Sequence, residues 1–315
     1  MNHSRCSRIR SMLFSGIGRW EGLYGPTGTP TGIPSGHKAP PTFRSHVGGT
    51  LALLLILAVT GWAAEAPDPA ALSEQAQAAH RQRRLNEASK LYDQLLKLDP
   101  PAEPTARQKE LVLRFAPRIH TVPGEFFPLK DVVAIIHPDK PVIGYRLFWE
   151  DDLAFPSDGD PCDHEIVWVE YDPASLQVTH VSTYFHGDIL SPDAAAAEAN
   201  AAGGRAWIGT EWGFHGSVPW GGVEAATPTL RKHWERARVG RQGPPNPIAR
   251  GWPAKYAGSF DDYLKFSEPV DPRVLLQQKD IIWVSRWPMA ALNRYGLRYN
   301  VAVKADWPWT DAGKK

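Results

Sequence analysis

A mainly β fold, a β-sandwich preceded by a helical hairpin, is what this 315-residue sequence predicts, and three observations carry that expectation. Clear helical periodicity lies before residue 116. After it, short apolar runs alternate with Pro/Gly turns, the pattern of many short strands. The 13 Trp, 9 Tyr and 11 Phe, within a 43% hydrophobic composition, supply aromatic area that must be buried or used for binding, which argues for globular structure.

Residues 1–42 are rich in glycine and proline, as in Gly25-Pro26-Thr27-Gly28-Thr29-Pro30, and read as a disordered extension. The apolar stretch 47–64 is broken by Gly48, Gly49 and Gly61, leaving a continuous core at 51–60. A spanning helix needs about 20 apolar residues, so this length suits a signal-peptide core. Arg5, Arg8, Arg10, Arg19, Lys38 and Arg44 precede it, and Glu65 and Asp68 follow. That asymmetry sends the C-terminal portion outward, whether residues 43–66 are a signal peptide cut near Ala64-Glu65-Ala66 or a retained N-terminal anchor. The part after about residue 67 is therefore expected to be exported, with a helical hairpin over 67–104 and a sandwich domain over 105–310.

Within the hairpin, Ala71, Ala76, Ala78 and Ala79 permit close approach by the second helix, in which Leu85, Ala88, Leu91, Tyr92, Leu95, Leu96 and Leu98 recur at helical spacing. Asp99-Pro100-Pro101 ends the run. The order Ala88, Tyr92, Pro100 resembles one tetratricopeptide repeat. A single copy must pack on the next domain or act as a stalk. A third helix is predicted over 105–115, stopped by Ala116-Pro117. Strands are predicted at 132–136 and 142–149, a hairpin at 165–171 and 177–185 around the turn Asp172-Pro173-Ala174-Ser175, and further strands at 206–209, 280–285 and 297–304. Residues 240–258 read as a long loop. The basic run Arg231-Lys232-His233-Trp234-Glu235-Arg236-Ala237-Arg238 reads as a solvated helix face that also offers a contact surface for phosphate or anionic lipid.

A formal net charge of +1 gives no global field, and with export it removes nucleic acid from the expected partners. Of the two cysteines, Cys6 lies upstream of the export segment, so Cys162 has no internal disulfide partner and reads as a small buried hydrophobe.

The densest polar cluster is Asp151-Asp152, Asp158, Asp160, Cys162, Asp163, His164 and Glu165, running into Ile166-Val167-Trp168-Val169. Strand alternation puts Asp163 and Glu165 on the face of Val167 and Val169. If that face is the core, two carboxylates stand at its rim, where a cation offsets their charge. Carboxylate oxygens suit magnesium or calcium, and added histidine suits manganese, zinc or iron. The predicted metal ligands are Asp163, Glu165, Asp160 and Asp152, with His186 and His215 as the histidines that complete the set. Asp151, Asp158 and Asp188 read as turn formers. The hairpin register is open. A four-residue turn pairs Glu165 with Ser182 and brings His186 to the Asp163 face, whereas a slip brings Val181 and Phe185 there and turns His186 away.

The segments Phe115-Ala116-Pro117-Arg118-Ile119-His120, Glu125-Phe126-Phe127-Pro128, Cys162-Asp163-His164-Glu165-Ile166-Val167 and His215-Gly216-Ser217-Val218-Pro219 together resemble proteins related to vacuolar protein sorting-associated protein 62, over about residues 112–225. The Asp-x-Glu strand is also similar, more distantly, to the necrosis-inducing protein family of secreted cytolysins. That resemblance implies a β-sandwich in which the aspartate and glutamate help bind a divalent metal that assists recognition of sphingolipid head groups. His164 stands where that family has tryptophan, and Asp160 and Cys162 where it has histidines.

The reading that follows is an exported protein whose divalent cation binds a polar small molecule, a glycan or a lipid head group, with contact to a membrane surface among the expectations. Trp212 and Trp220 are expected to be exposed for stacking, Trp149 and Trp168 to be core. A metal-dependent hydrolase, with a carboxylate or His164 moving the proton, is a second class, and a scaffold acting through the hairpin a third. No His-Glu-x-x-His or Gly-x-Ser-x-Gly motif is present.

Overall fold

The computed structural model describes residues 67–154, 163–240, 251–253, 255–294 and 302–310. The export segment, Asp158, Asp160, Cys162 and most of the two stretches predicted as the 240–258 loop and the 297–304 strand lie outside the described residues; residues 302–304 are described and are not in a strand.

The chain enters through α1 (Pro69–Arg81), capped by Asp68, whose carboxylate accepts from the Ala70 N–H at 3.1 Å, and returns through α2 (Leu85–Leu98). Helix α3 (Ala106–Phe115) starts with a capping box between Thr105 and Gln108. Then come β1 (Arg118–Thr121), β2 (Leu129–Ile136), β3 (Val142–Trp149), β4 (His164–Tyr171), β5 (Val178–Phe185) and β6 (Asp188–Leu190). The remainder alternates: α4 (Asp193–Ala201), β7 (Trp207–Thr210), β8 (Ser217–Pro219), α5 (Val223–Val239), α6 (Phe260–Tyr263), β9 (Glu268–Val270), α7 (Arg273–Lys279), β10 (Ile282–Val284) and α8 (Pro288–Arg294).

Among the described residues these strands form two sheets, one ordered β10-β2-β3-β4-β5-β6 and the other β8-β7-β1-β9. Strand β3 is buried along its whole length because the larger sheet is covered on both faces. On one face Ala134, Tyr145, Leu147, Val167 and Val169 pack with Val112 and Phe115 of α3, Ile119 of β1, Ile208 of β7 and Ala199 of α4. On the other, Ile135, Phe148, Ile166 and Trp168 pack with Tyr92 and Leu95 of the hairpin, Met289 of α8 and Trp307. The sheets meet where Thr183 Oγ1 donates to the Ser217 carbonyl at 2.6 Å.

The mainly β sandwich expectation is thus corrected to a mixed helix and sheet architecture. About 36% of the described residues are helical and about 24% lie in strands, and the second face of the large sheet is closed by helices rather than by strands. The helical hairpin is present, and its apolar seam is spent on that face. No helix among the described residues is long and apolar enough to cross a membrane.

The β4–β5 hairpin resolves the open register. Ile166 pairs with Tyr184 and Val169 with Val181, so Val181, Thr183 and Phe185 share the face of Glu165 and Val167. Asp172 does form the turn, its Oδ1 accepting from the Ala174 and Ser175 N–H groups at 3.0 and 2.7 Å. The loop nevertheless closes between Asp172 and Gln177, with Leu176 at φ 56°, and a bulge follows beyond Tyr171. An odd displacement from the Glu165–Ser182 pairing flips the strand.

Candidate metal centre

Three segments far apart in sequence converge at one end of the sheets. His186 follows β5, Glu211 follows β7, and His233 lies on α5. One donor atom from each lies within 4.8 Å of the other two. Both imidazoles address the same oxygen: His186 Nε2 and His233 Nδ1 each meet Glu211 Oε1, the second at 3.0 Å. The two rings are nearly perpendicular, with centroids 4.2 Å apart. A carboxylate oxygen only accepts, so either nitrogen bonds to Oε1 through an N–H, and a cation there would take the place of such a proton.

Local geometry aims each group. The flipped register would turn His186 away, but strand alternation stops at Phe185. His186 and Gly187, at φ 49° and 101°, form the two-residue link to β6, in which both central residues take left-handed backbone. That conformation costs a non-glycine residue of order 1 kcal/mol and swings the ring out of the alternating pattern toward Glu211. Glu211 is fully buried, and its second oxygen lies 3.4 Å from the Tyr263 hydroxyl, which also donates to the Trp212 carbonyl at 3.0 Å.

Gly216 explains how the donors come so close to the backbone. A Cβ built there would stand 2.3 Å from His186 Nε2 and 2.7 Å from Glu211 Oε1, so even one methyl group would occupy the space beside the ligand atoms. Burial pushes the Glu211 carboxyl up, but the charge and hydrogen bonds of His186 and His233 outweigh it and bring its pKa to about 2. It is a carboxylate throughout the physiological range. Two imidazoles and one carboxylate form a mixed nitrogen and oxygen donor set that suits zinc or manganese better than magnesium or calcium, and three protein ligands leave coordination positions open. The donor set and the bare Gly216 cradle therefore fit a divalent cation.

The predicted acidic strand lies next to this group. Asp163 and Glu165 do share the core face, as alternation requires, with Leu147 opposite Glu165. Asp163 Oδ2 contacts His215 Nδ1 at 3.0 Å, and His215 Nε2 lies 3.5 Å from Glu125 Oε1. His215 is at φ 55°, fully buried, and stacked on Trp149 at 4.4 Å and 6°. Burial alone would lower its pKa; Glu125 and Asp163 reverse that and raise it to about 10, so the ring is an imidazolium. Burial likewise works against the Asp163 carboxylate, and the hydrogen bond from His215 with the charge of Lys304 brings it below the usual range. Glu125 also accepts from the Phe126, Phe127 and Gly213 N–H groups, tying the turn after β1 to the Glu211–Gly216 loop.

Glu165 receives the Lys304 ammonium at 2.7 Å. Burial pushes the carboxyl up, whereas the same contact keeps Lys304 protonated against its own burial. These directions oppose one another, and the 2.7 Å contact, with the Tyr184 ring 5.3 Å from the same ammonium, favours the charged pair. Asp152 turns to its own loop, accepting from the Ala154 N–H at 2.6 Å. His164 lies on the other side of the sheet from Glu165, stacked on Phe148, and burial lowers its pKa well below the usual histidine range. Trp212 is buried, donating to the Gly124 carbonyl, which corrects its expected exposure, while Trp220 is 48% exposed and Trp149 and Trp168 are core.

Of the predicted histidines, His186 belongs to the metal-type group and His215 to the adjoining Asp163 network. Glu211 and His233 escaped the sequence reading. The available signal was the Gly-flanked Glu211–Gly216 loop, whose tight backbone already implied close approach, whereas His233 lay inside a run read by charge alone.

No protein-family model matches the chain, and none of the curated proteins matches it in sequence. Among solved structures, a substituted form of NLPPya, a necrosis-inducing protein-like protein, matches at 19% identity, covering 37% of this chain and 68% of that one, with a TM-score of 0.30. NLPPya in complex with glucosamine matches at 20% identity over 37% and 69%, with a TM-score of 0.29. Likeness of this extent decides neither fold nor ligand for this chain. The resemblance to proteins related to vacuolar protein sorting-associated protein 62 finds no support among these matches.

Proposed function

We propose that this protein binds a divalent cation through His186, Glu211 and His233 and offers the cation's open positions to a polar ligand, a sugar or a lipid head group, outside the cytoplasm. The observation that carries the reading is the convergence of two imidazole nitrogens on one buried carboxylate oxygen beside a glycine that leaves the space clear. Export rests on the apolar segment at 51–60 and its flanking charges. Asp163 and Glu165 act in this reading as the frame: Asp163 holds His215, which lies in the loop that carries Glu211, and Glu165 holds Lys304, which packs over Tyr184 on the strand that precedes His186. Such supporting contacts orient ligands and tune a centre.

A cation that binds only the folded protein raises its thermal midpoint as the cation concentration rises. Zinc or manganese should therefore raise the midpoint of the full chain by several degrees, and magnesium or calcium should do so far less. His233→Ala should abolish the response. A midpoint indifferent to all four cations contradicts the reading.

A further inference from the structure

We propose that the ligand is a phosphate group, with one oxygen on the cation and others on the guanidinium of Arg236. The inference rests on the cation reading above and names the chemistry of its ligand.

Phe214 provides the geometry. Its ring lies 4.8 Å from the His233 ring and 5.1 Å from Arg236 Cζ, so one aromatic side chain sets both groups. Arg236 follows His233 by three residues on α5, on the same side of the helix. It is exposed, and its guanidinium lies over that ring. Arg231 and Arg238 lie farther round the helix, over Phe260 and Trp234, and do not flank the centre. The helix dipole favours a cation in this last turn, but it does not require the guanidinium to lie beside the ring that carries His233.

Charge selects the occupant. A divalent cation bound by two neutral imidazoles and Glu211 retains surplus positive charge, and Arg236 adds to it. Of the nearby carboxylates, Glu165 is paired with Lys304, and Asp163 and Glu125 share the single positive charge of His215, whereas Arg236 lies on the solvent side of the centre, over the Phe214 ring that it covers. A neutral sugar would answer neither the cation's surplus nor the arginine. Phosphate answers both, since one oxygen suits the cation and two others accept the paired N–H groups of a guanidinium.

The test uses the full chain, with zinc content measured first and inorganic phosphate then titrated by calorimetry. Phosphate should bind the zinc-loaded protein and not the chelated one. Arg236→Gln should weaken it about tenfold with zinc content unchanged, and Arg236→Lys should fall between the two. Flotation with phosphatidylcholine vesicles, with and without phosphatidic acid, separates the sources. Capture by the acidic vesicles, competed by phosphate, supports a lipid head group, and phosphate binding without capture supports a soluble phosphate or phosphate ester. Equal phosphate affinity in Arg236→Gln at intact zinc content, or no phosphate binding to zinc-loaded protein, overturns the proposal while the cation site stands. Absence of zinc from the unsubstituted chain overturns both.

Discussion

Gly216 and Asp306 are the residues at which single atoms decide most. Adding the Gly216 Cβ forces His186 or Glu211 to move, since the methyl would contact both donor atoms well inside normal separation. Gly216→Ala should therefore lower cation affinity at least tenfold while far-ultraviolet circular dichroism stays native; unchanged affinity would count against the cradle. Asp306 offers an independent pH signature. Burial raises its carboxyl to about 6, although Arg146 and the hydrogen bonds from Met289 and Gln77 pull the other way. The folded state then keeps a proton that the unfolded chain has released, so this residue makes stability fall as pH rises from about 4 through about 6. In Asp306→Asn that part of the slope should disappear from urea midpoints measured across the window. An identical slope in the variant would show that other groups set it.

At the scale of elements, local pattern was readable and long-range pairing was not. The predicted strand 142–149 coincides with β3, and 132–136 lies within β2, because uninterrupted branched and aromatic runs leave little else for the backbone to do. The Asp163/Glu165 face followed from alternation alone. The β5 register did not, since it depends on Leu176 taking left-handed backbone and on a bulge between Glu170 and Tyr171, neither of which the turn residues announce. Helix α4 gives little amphipathic signal, being mostly alanine, and α5 contains Pro228 with a polar, basic second half. Glu211 and His233 stand 22 residues apart on a loop and a helix, and no short spacing announces them. The helical hairpin carries a further consequence. With Tyr92 and Leu95 packed against the Trp168 face, deletion of residues 67–100 should expose that face and cost the near-ultraviolet signal of the core tryptophans. A truncated chain that kept the signal would favour the hairpin as a separable adaptor.

The molecule as a whole places helices over one face of its large sheet and a smaller sheet with helices toward the other; one group of buried charges surrounds Glu211 and His215, and a second, Arg146 with Asp306, lies on the helix-covered face. Neighbouring charges are answered from within: His215 by Asp163 and Glu125, Lys304 by Glu165. The His186–Glu211–His233 group differs because its histidines are partly open to solvent and its donors converge beside an unfilled backbone position. The cation is expected to sit there and not on the acidic strand. Elemental analysis of the zinc-equilibrated full chain tests this placement most directly, against His186→Ala/His233→Ala and Asp163→Ala/Glu165→Ala. One zinc per chain should be found, lost in the histidine pair and retained, with weaker affinity, in the acidic pair wherever that variant folds. Zinc retained by the histidine pair, or absent from all three, would contradict it.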